Sequence, residues 1–279
     1  MTTEVNKAYQ LLNSKLRKLL NKKSNKWDAK KNWRLPSVCY TLEHKLAFLA
    51  CEYHFIGRYS LCGFLHDWDK PWMYMCPWLK ENEIQIIHQR NNPYHIESGK
   101  FTSIVHLVDI YIDWECAAIT KPDKPLNAFE TALHFYPEHL KYVVPLCLVF
   151  NSDSIKSNVW LHHWHQLAKN DEKNKEIFAQ TVDILKQMSK VSYHHEWAMD
   201  LKKEYEQRRK ITQFNSAEIF MLILLWHSKK TKFEIDYAKV NSVVERVYSD
   251  MNKYTHFTHS GTSGAITDFS GVKTSIYCK

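Results

Sequence analysis

Glycine is scarce in this sequence of 279 residues, which contains six glycines, and three of them lie within the last nineteen positions. Phosphate-binding loops, dinucleotide-binding turns and the nucleophile elbow of α/β-hydrolases all require closely spaced glycines. The scarcity therefore excludes these three kinds of site. A glycine-poor chain rich in Leu, Lys, Glu and Gln also favours helices over β-sandwiches and barrels, so we predict an all-α fold.

Closely spaced cysteines are absent as well. The chain has seven cysteines, and no two of them lie within four residues of each other. This spacing excludes zinc ribbons and C-x-x-C redox pairs, and an odd number argues against a disulfide framework. We therefore expect buried free thiols in a reducing compartment.

Long apolar runs are missing too. The longest uncharged stretch near the middle of the chain, residues 142–152, is interrupted by Pro145 and is shorter than the roughly twenty residues that cross a bilayer. The first residues lack the apolar segment of a signal peptide. We expect a cytoplasmic protein, or one that acts in the cytoplasm of a host cell if its source is viral.

Positive charge is concentrated at one end of the sequence. Residues 1–34, here called the basic arm, hold ten basic and two acidic residues and so carry the whole net charge of +8. Apolar residues in the arm recur at helical spacing, which predicts an amphipathic helix: they are Val5, Tyr9, Leu12, Leu16 and Leu19. Such a helix either packs on its own domain or binds nucleic acid, an anionic membrane surface or a protein partner.

Apolar periodicity and chain breakers predict eight to ten helices. We expect Thr41 to cap a helix after Pro36, a second helical stretch to end near Leu65, and Pro71 and Pro77 to impose an irregular segment. Further helices are predicted over 80–90, 104–119 and 219–226, with caps at Thr102 or Ser103 and at 215–218, and Asn127 opens another before a buried element at 142–150. The predicted regions are the arm, a metal-binding domain over 35–150, a helical extension over 151–257 and an irregular tail over 258–279.

Histidine and aspartate recur in a pattern that indicates metal binding. The chain has sixteen histidines, and His106, Asp109 and Asp113 step by three and four along one predicted helix face. Burying these groups is costly unless a cation compensates them. Neutral imidazole and ionised carboxylate are usual ligands of divalent metals, so the pattern favours a metal site.

Four residues resemble the H…HD…D motif of the HD-domain metal-dependent phosphohydrolases: His44, His66, Asp67 and Asp113. The segment from His66 to Lys70 is similar to the HD-x-x-K form of that motif. His88 and His95 occupy the interval where dinuclear members place further histidine ligands. Residues 88–95 with Asp113-Trp114 also resemble an uncharacterised group of small HD-like proteins from bacteria and their phages, and the resemblance covers about residues 40–135.

The resemblance implies an HD-like helical domain with a helical C-terminal extension, and a site for one or two divalent ions (Mn, Mg, Fe, Ni, Co or Zn). The implied ligands are His44, His66, Asp67, Asp113, His88 and His95. It further implies a metal-activated water that attacks phosphorus in a nucleotide or related phosphate ester. Asp67 would orient the water, and Lys70 would neutralise a phosphoryl oxygen.

Other residues are expected to support the site. Asp109 competes with Asp113 for the ligand role, and we place it with His106 behind the ligands. The expected substrate contacts are Lys70, Arg90, Asn91 and Trp72. The aromatic segment Trp72, Tyr74 and Trp78 either stacks on a base or packs as core or lid.

Several alternatives remain open at this stage. The same fold would serve a non-catalytic protein that binds nucleic acid or a protein through the arm, and a phosphodiesterase acting on RNA or a cyclic nucleotide would use the same chemistry. Lys70 is alternatively a solvated side chain before Pro71. Residues 162–165 and 194–195 are histidine-rich, but they lack carboxylates at ligand spacing, so packing is favoured over a second metal site.

Overall fold

The computed structural model describes residues 34–121, 126–150, 172–191 and 195–230, with single positions in 7–14 and 238–245. Within these residues the regular structure is helical and contains no strand, which confirms the predicted all-α fold. The α-helices are α1 (Arg34–Ile56), α2 (Leu61–Leu65), α3 (Asp69–Tyr74), α4 (Glu81–Asn91), α5 (Ile104–Thr120), α6 (Ala128–Phe135), α7 (Leu140–Phe150), α8 (Glu172–Ser189), α9 (His195–Arg208) and α10 (Ser216–Lys230). Short 3₁₀ turns lie at Ile96–Ser98, Pro137–His139 and Ile211–Gln213. No helix in these ranges is both long and apolar enough to cross a membrane.

Several helix ends lie where side-chain caps predict them. The Ser103 hydroxyl accepts the backbone N–H of His106 at 3.3 Å, which satisfies a donor at the start of α5. Asn127 and Glu130 bond each other's backbone N–H groups at the start of α6, and Asn215 pairs with Glu218 in the same way before α10. These predicted caps are confirmed.

Two predictions of local structure are wrong. Thr41 lies inside α1, where its hydroxyl donates to the carbonyl of Ser37 at 2.9 Å, so it does not cap the helix. Pro36 is the third residue of α1, and Pro71 is the third residue of α3, a segment expected to be irregular. The first turn of a helix tolerates proline because its N–H groups have no intrahelical partner there.

Arg34 belongs to the helical body, although its charge was assigned to the arm. Its guanidinium donates to four backbone carbonyls at 2.7 to 3.1 Å, those of Tyr74, Cys76, Pro77 and Leu79. Arg34 therefore fixes the connection between α3 and α4 to the start of α1. Most of the arm lies outside the described residues, and at one described position in it Tyr9 is buried.

The chain divides into two compact units, which we describe separately. The first comprises Met1–Thr131, Gln207–Thr212 and Trp226–Glu234, and the second comprises Ala132–Glu206, Gln213–Leu225 and Ile235–Lys279. In the first unit, α1 packs along α5 and also contacts α2 and α3. In the second unit, α7 packs on α8. The apolar α7 therefore lies with the second unit, whereas the predicted boundary at 150 placed it with the first.

The described cysteines are free thiols with different exposures. Cys51, Cys116 and Cys147 are buried, as predicted. Cys39, Cys62 and Cys76 are partly exposed, so the prediction of burial is wrong for these three. Cys62 lies on the short surface helix α2, where its Sγ is 3.0 Å from the Tyr94 hydroxyl. Cys278 and the histidine-rich segment 162–165 lie outside the described residues.

Candidate metal centre

The six predicted ligands lie in the first compact unit and come from separate pieces of the chain. His44 lies on α1 and Asp113 on α5, while His88 lies on α4. His66 and Asp67 occupy the turn between α2 and α3, and His95 precedes a 3₁₀ turn. All six are buried. Because α1 packs along α5, polar residues on their inward faces meet inside an otherwise apolar core.

The first group of ligand atoms surrounds His66. The Nε2 atom of His66 lies 3.4 Å from Asp113 Oδ1 and 3.7 Å from Asp67 Oδ1. The Nε2 atom of His44 lies 2.7 Å from the same Asp113 oxygen. One ligand atom from each of His44, His66 and Asp67 lies within 4.8 Å of the others, which is close enough for one metal ion to reach all three.

The second group surrounds His88. The Nε2 atom of His88 is 2.9 Å from Asp67 Oδ1 and 2.6 Å from His95 Nε2. One ligand atom from each of Asp67, His88 and His95 again lies within 4.8 Å of the others. Asp67 therefore belongs to both groups.

Two buried atoms at this centre lack a hydrogen-bond partner: His66 Nε2 and Asp67 Oδ1. The short approach of His88 to Asp67 Oδ1 lacks hydrogen-bond geometry, since that oxygen remains unsatisfied. A buried polar atom without a partner costs about 1–3 kcal/mol. A divalent cation would satisfy both atoms, because one offers an imidazole nitrogen and the other a carboxylate oxygen.

The orientation of His88 is a second, independent indication of a divalent cation at this centre. Its Nδ1 lies 2.8 Å from both carboxylate oxygens of Asp69. A neutral imidazole in this position donates its Nδ1–H to Asp69, so its Nε2 lone pair faces Asp67 and His95. These acceptors repel each other unless a cation or an additional proton lies between them. The residues present therefore fit a divalent metal.

The local charges keep the two aspartates ionised. Burial opposes ionisation of Asp67, but His66, Lys70, His88 and His95 outweigh it and hold the pKa well below its usual range. Burial also opposes ionisation of Asp113, but His44 and His66 outweigh burial and hold the pKa of that carboxyl well below its usual range. Both side chains are thus present as carboxylates, the form that binds metal.

Among the histidines, burial lowers the pKa of His66, with Asp67 acting in the opposite direction. For His88, burial lowers the pKa, but the neighbouring carboxylates of Asp67 and Asp69 outweigh burial, and the pKa of the imidazole is raised. His66 is therefore held in the neutral form that donates a lone pair to a metal, whereas His88 in the metal-free protein is biased toward the imidazolium.

Lys70 is part of this centre. It is buried, and its Nζ lies 2.8 Å from Asp67 Oδ2. The alternative of a solvated side chain before Pro71 is therefore wrong. Burial opposes the charge on Lys70, but Asp67 outweighs it, and the pKa of the ammonium is raised. The ammonium lies against the oxygen of Asp67 that does not face the histidines.

The backbone at Asp67 is also unusual, with a φ of 57°. This left-handed region is uncommon for residues other than glycine and is energetically costly for a residue with a Cβ. The turn ends α2, and α3 begins two residues later. The strained turn thus places His66 and Asp67 side by side between α1 and α4.

Three residues around the centre were not recognised from the sequence. Asp69 orients His88, and the Thr120 hydroxyl lies 3.2 Å from His44 Nδ1 and orients that ring. Metal-binding histidines usually have such a partner on their second nitrogen, but which residue supplies it depends on the fold.

Cys116, the third of these residues, packs on His44. Its Sγ is nearly equidistant from the two ring nitrogens, at 3.6 and 3.7 Å, and it donates to the carbonyl of Asp113 at 3.1 Å. A sulfur in the ring plane at these distances would overlap the Cε1–H, so it lies over the ring face. Cys116 therefore packs against the centre, although its proximity would allow metal binding by distance alone.

The two residues expected behind the ligands have different surroundings. His106 accepts the backbone N–H of Thr102 at 3.1 Å and packs edge-on against Tyr94 near the start of α5. Asp109 is buried, and burial, followed by the charges of Glu52 and Asp113, raises its pKa to about 8. Supporting roles for both residues stay predictions.

The predicted substrate contacts differ in exposure. Trp72 and Trp78 are exposed, but Tyr74 is buried with its hydroxyl 3.5 Å from that of Thr41, so stacking of a base on Tyr74 is excluded. Arg90 is exposed and lies two residues after the inward-facing His88, on the opposite side of α4. Asn91 is exposed at the end of α4. Substrate binding by Arg90, Asn91 and Trp72 stays a prediction.

Comparison of the chain with protein-family models, with curated proteins and with solved structures finds no match. The chemistry of the side chains at this centre is consequently the only indication of a function within the described residues. Its distinguishing feature is a buried carboxylate, Asp67, shared by two groups of histidine ligands.

Proposed function

We propose that the chain is an HD-type phosphohydrolase that depends on a divalent metal and acts on a nucleotide or a related phosphate ester. The observation that carries the proposal is the sharing of Asp67 between two ligand groups. The order and types of these residues resemble the HD motif, and the fold brings them together although the sequence separates them widely. Two adjacent ions are a recurrent arrangement for phosphate-ester hydrolysis.

The ligands fall naturally into two sets. His44, His66, Asp67 and Asp113 would hold one ion, and Asp67, His88 and His95 would hold the other. Four of the six ligands are imidazoles, which favours Mn, Fe, Co, Ni or Zn over Mg. Ions bound there would act as Lewis acids that lower the pKa of a water and neutralise charge on a phosphoryl group.

The protein residues around the ligands have distinct tasks in this proposal. Asp69 and Thr120 hold the rings of His88 and His44, so that the Nε2 atom of each ring faces inward. Lys70 is buried against Asp67, where its ammonium can bind a non-bridging phosphoryl oxygen that approaches the centre. The apolar surroundings strengthen each of these electrostatic contacts because they exclude water.

The test is to measure metal content and hydrolysis on the same preparation of full-length protein. We expect one or two divalent ions per chain, and hydrolysis of bis(p-nitrophenyl) phosphate, p-nitrophenyl phosphate or members of a nucleotide panel. Asp67→Asn should lose both metal and activity. Asp200→Asn, a change at an exposed position on α9, is the matched control and should lose neither.

Two results would contradict the proposal. A metal-free wild-type protein whose melting temperature does not rise on addition of Mn²⁺ has no metal site. A protein that holds metal but hydrolyses none of these substrates would instead support the non-catalytic alternative, in which the HD-like body is a scaffold and the basic arm binds nucleic acid or a protein partner.

A further inference from the structure

We infer that a row of four exposed aromatic side chains beside the metal centre is a binding surface for single-stranded nucleic acid. The row consists of Tyr53, Tyr59, Phe64 and Trp68 and is called the aromatic row. This binding site goes beyond the proposed phosphohydrolase activity, because it stands on different residues and does not require catalysis.

The four side chains are exposed to similar degrees: 48% for Tyr53, 53% for Tyr59, 51% for Phe64 and 49% for Trp68. Aromatic side chains that serve as core are far more buried than this. A contiguous exposed apolar surface of this kind marks a site of interaction. The row therefore indicates a partner that binds to exposed aromatic rings.

Ring contacts and a shared lysine make the row continuous. The ring centroids of Tyr53 and Tyr59 are 5.1 Å apart, and those of Tyr59 and Phe64 are 5.9 Å apart. Lys45 joins the next pair, since its Nζ donates to the carbonyl of Phe64 and lies 4.7 Å from the ring centroid of Trp68. Successive bases of a single strand can stack on rings at such spacing.

The connection between Tyr59 and Phe64 is fixed from inside. The backbone N–H of Ser60 donates to the buried carboxylate of Glu52 at 3.2 Å, and the hydroxyl of Ser60 accepts the N–H of Gly63 at 2.9 Å. Tyr59 and Phe64 flank these two contacts in the sequence. The backbone between Tyr59 and Phe64 is thus ordered before a ligand arrives, which reduces the entropy lost on binding.

Charge complementarity selects nucleic acid as the occupant. Lys45 lies against the row, and Arg58 is exposed next to Tyr59. Both side chains can contact phosphates while bases stack on the rings. Without Arg34, which belongs to the helical body, the arm adds a charge of +7 in the same chain, and this charge attracts a polyanion over longer distances.

The row also leads to the proposed reaction centre. Trp68 directly follows Asp67, the carboxylate shared by both ligand groups. Leu61 and Leu65 are exposed on α2 between Tyr59 and Trp68, so association with a second copy of the chain is the competing use of this face. The test must separate these two occupants.

The experiment measures binding of fluorescein-labelled oligothymidylate and oligouridylate of about twenty nucleotides to full-length protein in EDTA, where metal-dependent hydrolysis cannot consume the probe. Phe64→Ala and Trp68→Ala should each weaken binding about 5- to 100-fold, as loss of a stacking ring does. Phe135→Ala removes a ring that is 58% exposed on α6, away from the row in sequence, and should leave binding unchanged.

The salt dependence of oligonucleotide binding distinguishes stacking on the rings from contacts between charged side chains and phosphates. Phe64→Ala should lower the affinity without changing the slope of log affinity against log salt, because no counterion is released by a ring. Lys45→Gln should reduce the steepness of that slope by about 0.7, the contribution of one phosphate contact to a single strand. Melting temperatures within a few degrees of wild type show that each variant is folded.

Four outcomes would overturn the inference. The first is absence of binding to either single strand by the wild type. The second is equal affinity of Phe64→Ala and Phe135→Ala for the probe. The third is a wild-type preference for the duplex of the same sequence. The fourth is a wild-type dimer in sedimentation that Phe64→Ala converts to a monomer, which would make the row an interface between copies. None of these readouts depends on hydrolysis, so the proposed activity can fail while the binding surface stands.

Discussion

Asp69 holds His88 through both carboxylate oxygens, each 2.8 Å from the imidazole Nδ1. The carboxylate of Asp69 lies partly in water while the ring of His88 is fully buried. The pair therefore connects the surface to the metal centre and determines which nitrogen of His88 is available for a ligand. This contact makes the second ligand group dependent on a residue that binds no metal itself.

We predict that Asp69→Asn weakens the binding of one ion about 10- to 100-fold and leaves the other ion in place. The reason is that the amide lacks the charge that fixes and polarises the imidazole. Titration of metal-free protein with Mn²⁺ or Zn²⁺ by calorimetry checks the result. Asp183→Asn, at an exposed position on α8, should bind both ions as the wild type does. Unchanged affinity at both sites in Asp69→Asn would show that His88 needs no orienting partner.

Lys70→Met should separate stability from catalysis. The substitution keeps most of the side-chain volume but leaves the buried Asp67 carboxylate without its ammonium partner. In metal-free protein we expect a loss of about 3–5 kcal/mol in the free energy of unfolding, as for a broken buried ion pair. Bound metal should restore most of this stability, because the cation replaces the missing charge.

Hydrolysis by metal-loaded Lys70→Met should nevertheless fall about 10- to 1000-fold, as expected when one charged contact to the transition state is lost. Melting curves with and without Mn²⁺, together with kcat on the best substrate of the panel, provide the check. If turnover persists in Lys70→Met but is lost in Asp67→Asn, the lysine has a structural role alone.

The pH dependence of stability should report the buried Asp109. Its pKa is raised from an ordinary 3.8 to about 8 in the folded protein, so the folded state keeps a proton that the unfolded state releases. Stability is then fully present below pH 4 and declines as pH rises to 8, with a slope approaching about 1.4 kcal/mol per pH unit for one proton.

Asp109→Asn should remove this contribution in metal-free protein. We expect the variant to be more stable than wild type at pH 8, with a difference that shrinks toward pH 5. Urea unfolding at several pH values measures it, and Asp200→Asn is the exposed control. A difference that stays constant with pH would mean that Asp109 is ionised in the folded state.

Gly63→Ala is predicted to destabilise the protein by about 1–3 kcal/mol through overpacking. A methyl group at this position would overlap the carboxylate of Glu52, which is held by Ser60. The same substitution in a Glu52→Ala background should cost less, and denaturation of the four proteins in this double-mutant cycle gives the coupling. Strictly additive effects would show that the two residues do not touch.

The sequence by itself determined the helical fold and much of its local detail. Ser103, Asn127 and Asn215 mark helix starts because their side chains satisfy backbone N–H groups only a few residues away. The candidate ligands were named from the resemblance of His44, His66, Asp67 and Asp113 to the HD motif, which depends on the order and types of these residues. These inferences need only interactions that are local in the chain, or the chemistry of single side chains.

The tertiary structure alone decided what surrounds those ligands. It placed Asp69 against His88 and Thr120 against His44, and it buried Lys70 where the sequence left a solvated position equally open. Each of these outcomes depends on where a helix lies relative to another helix distant in the sequence. Propensity and spacing describe one helix at a time, whereas the environment of a buried polar atom is set by the packing of several.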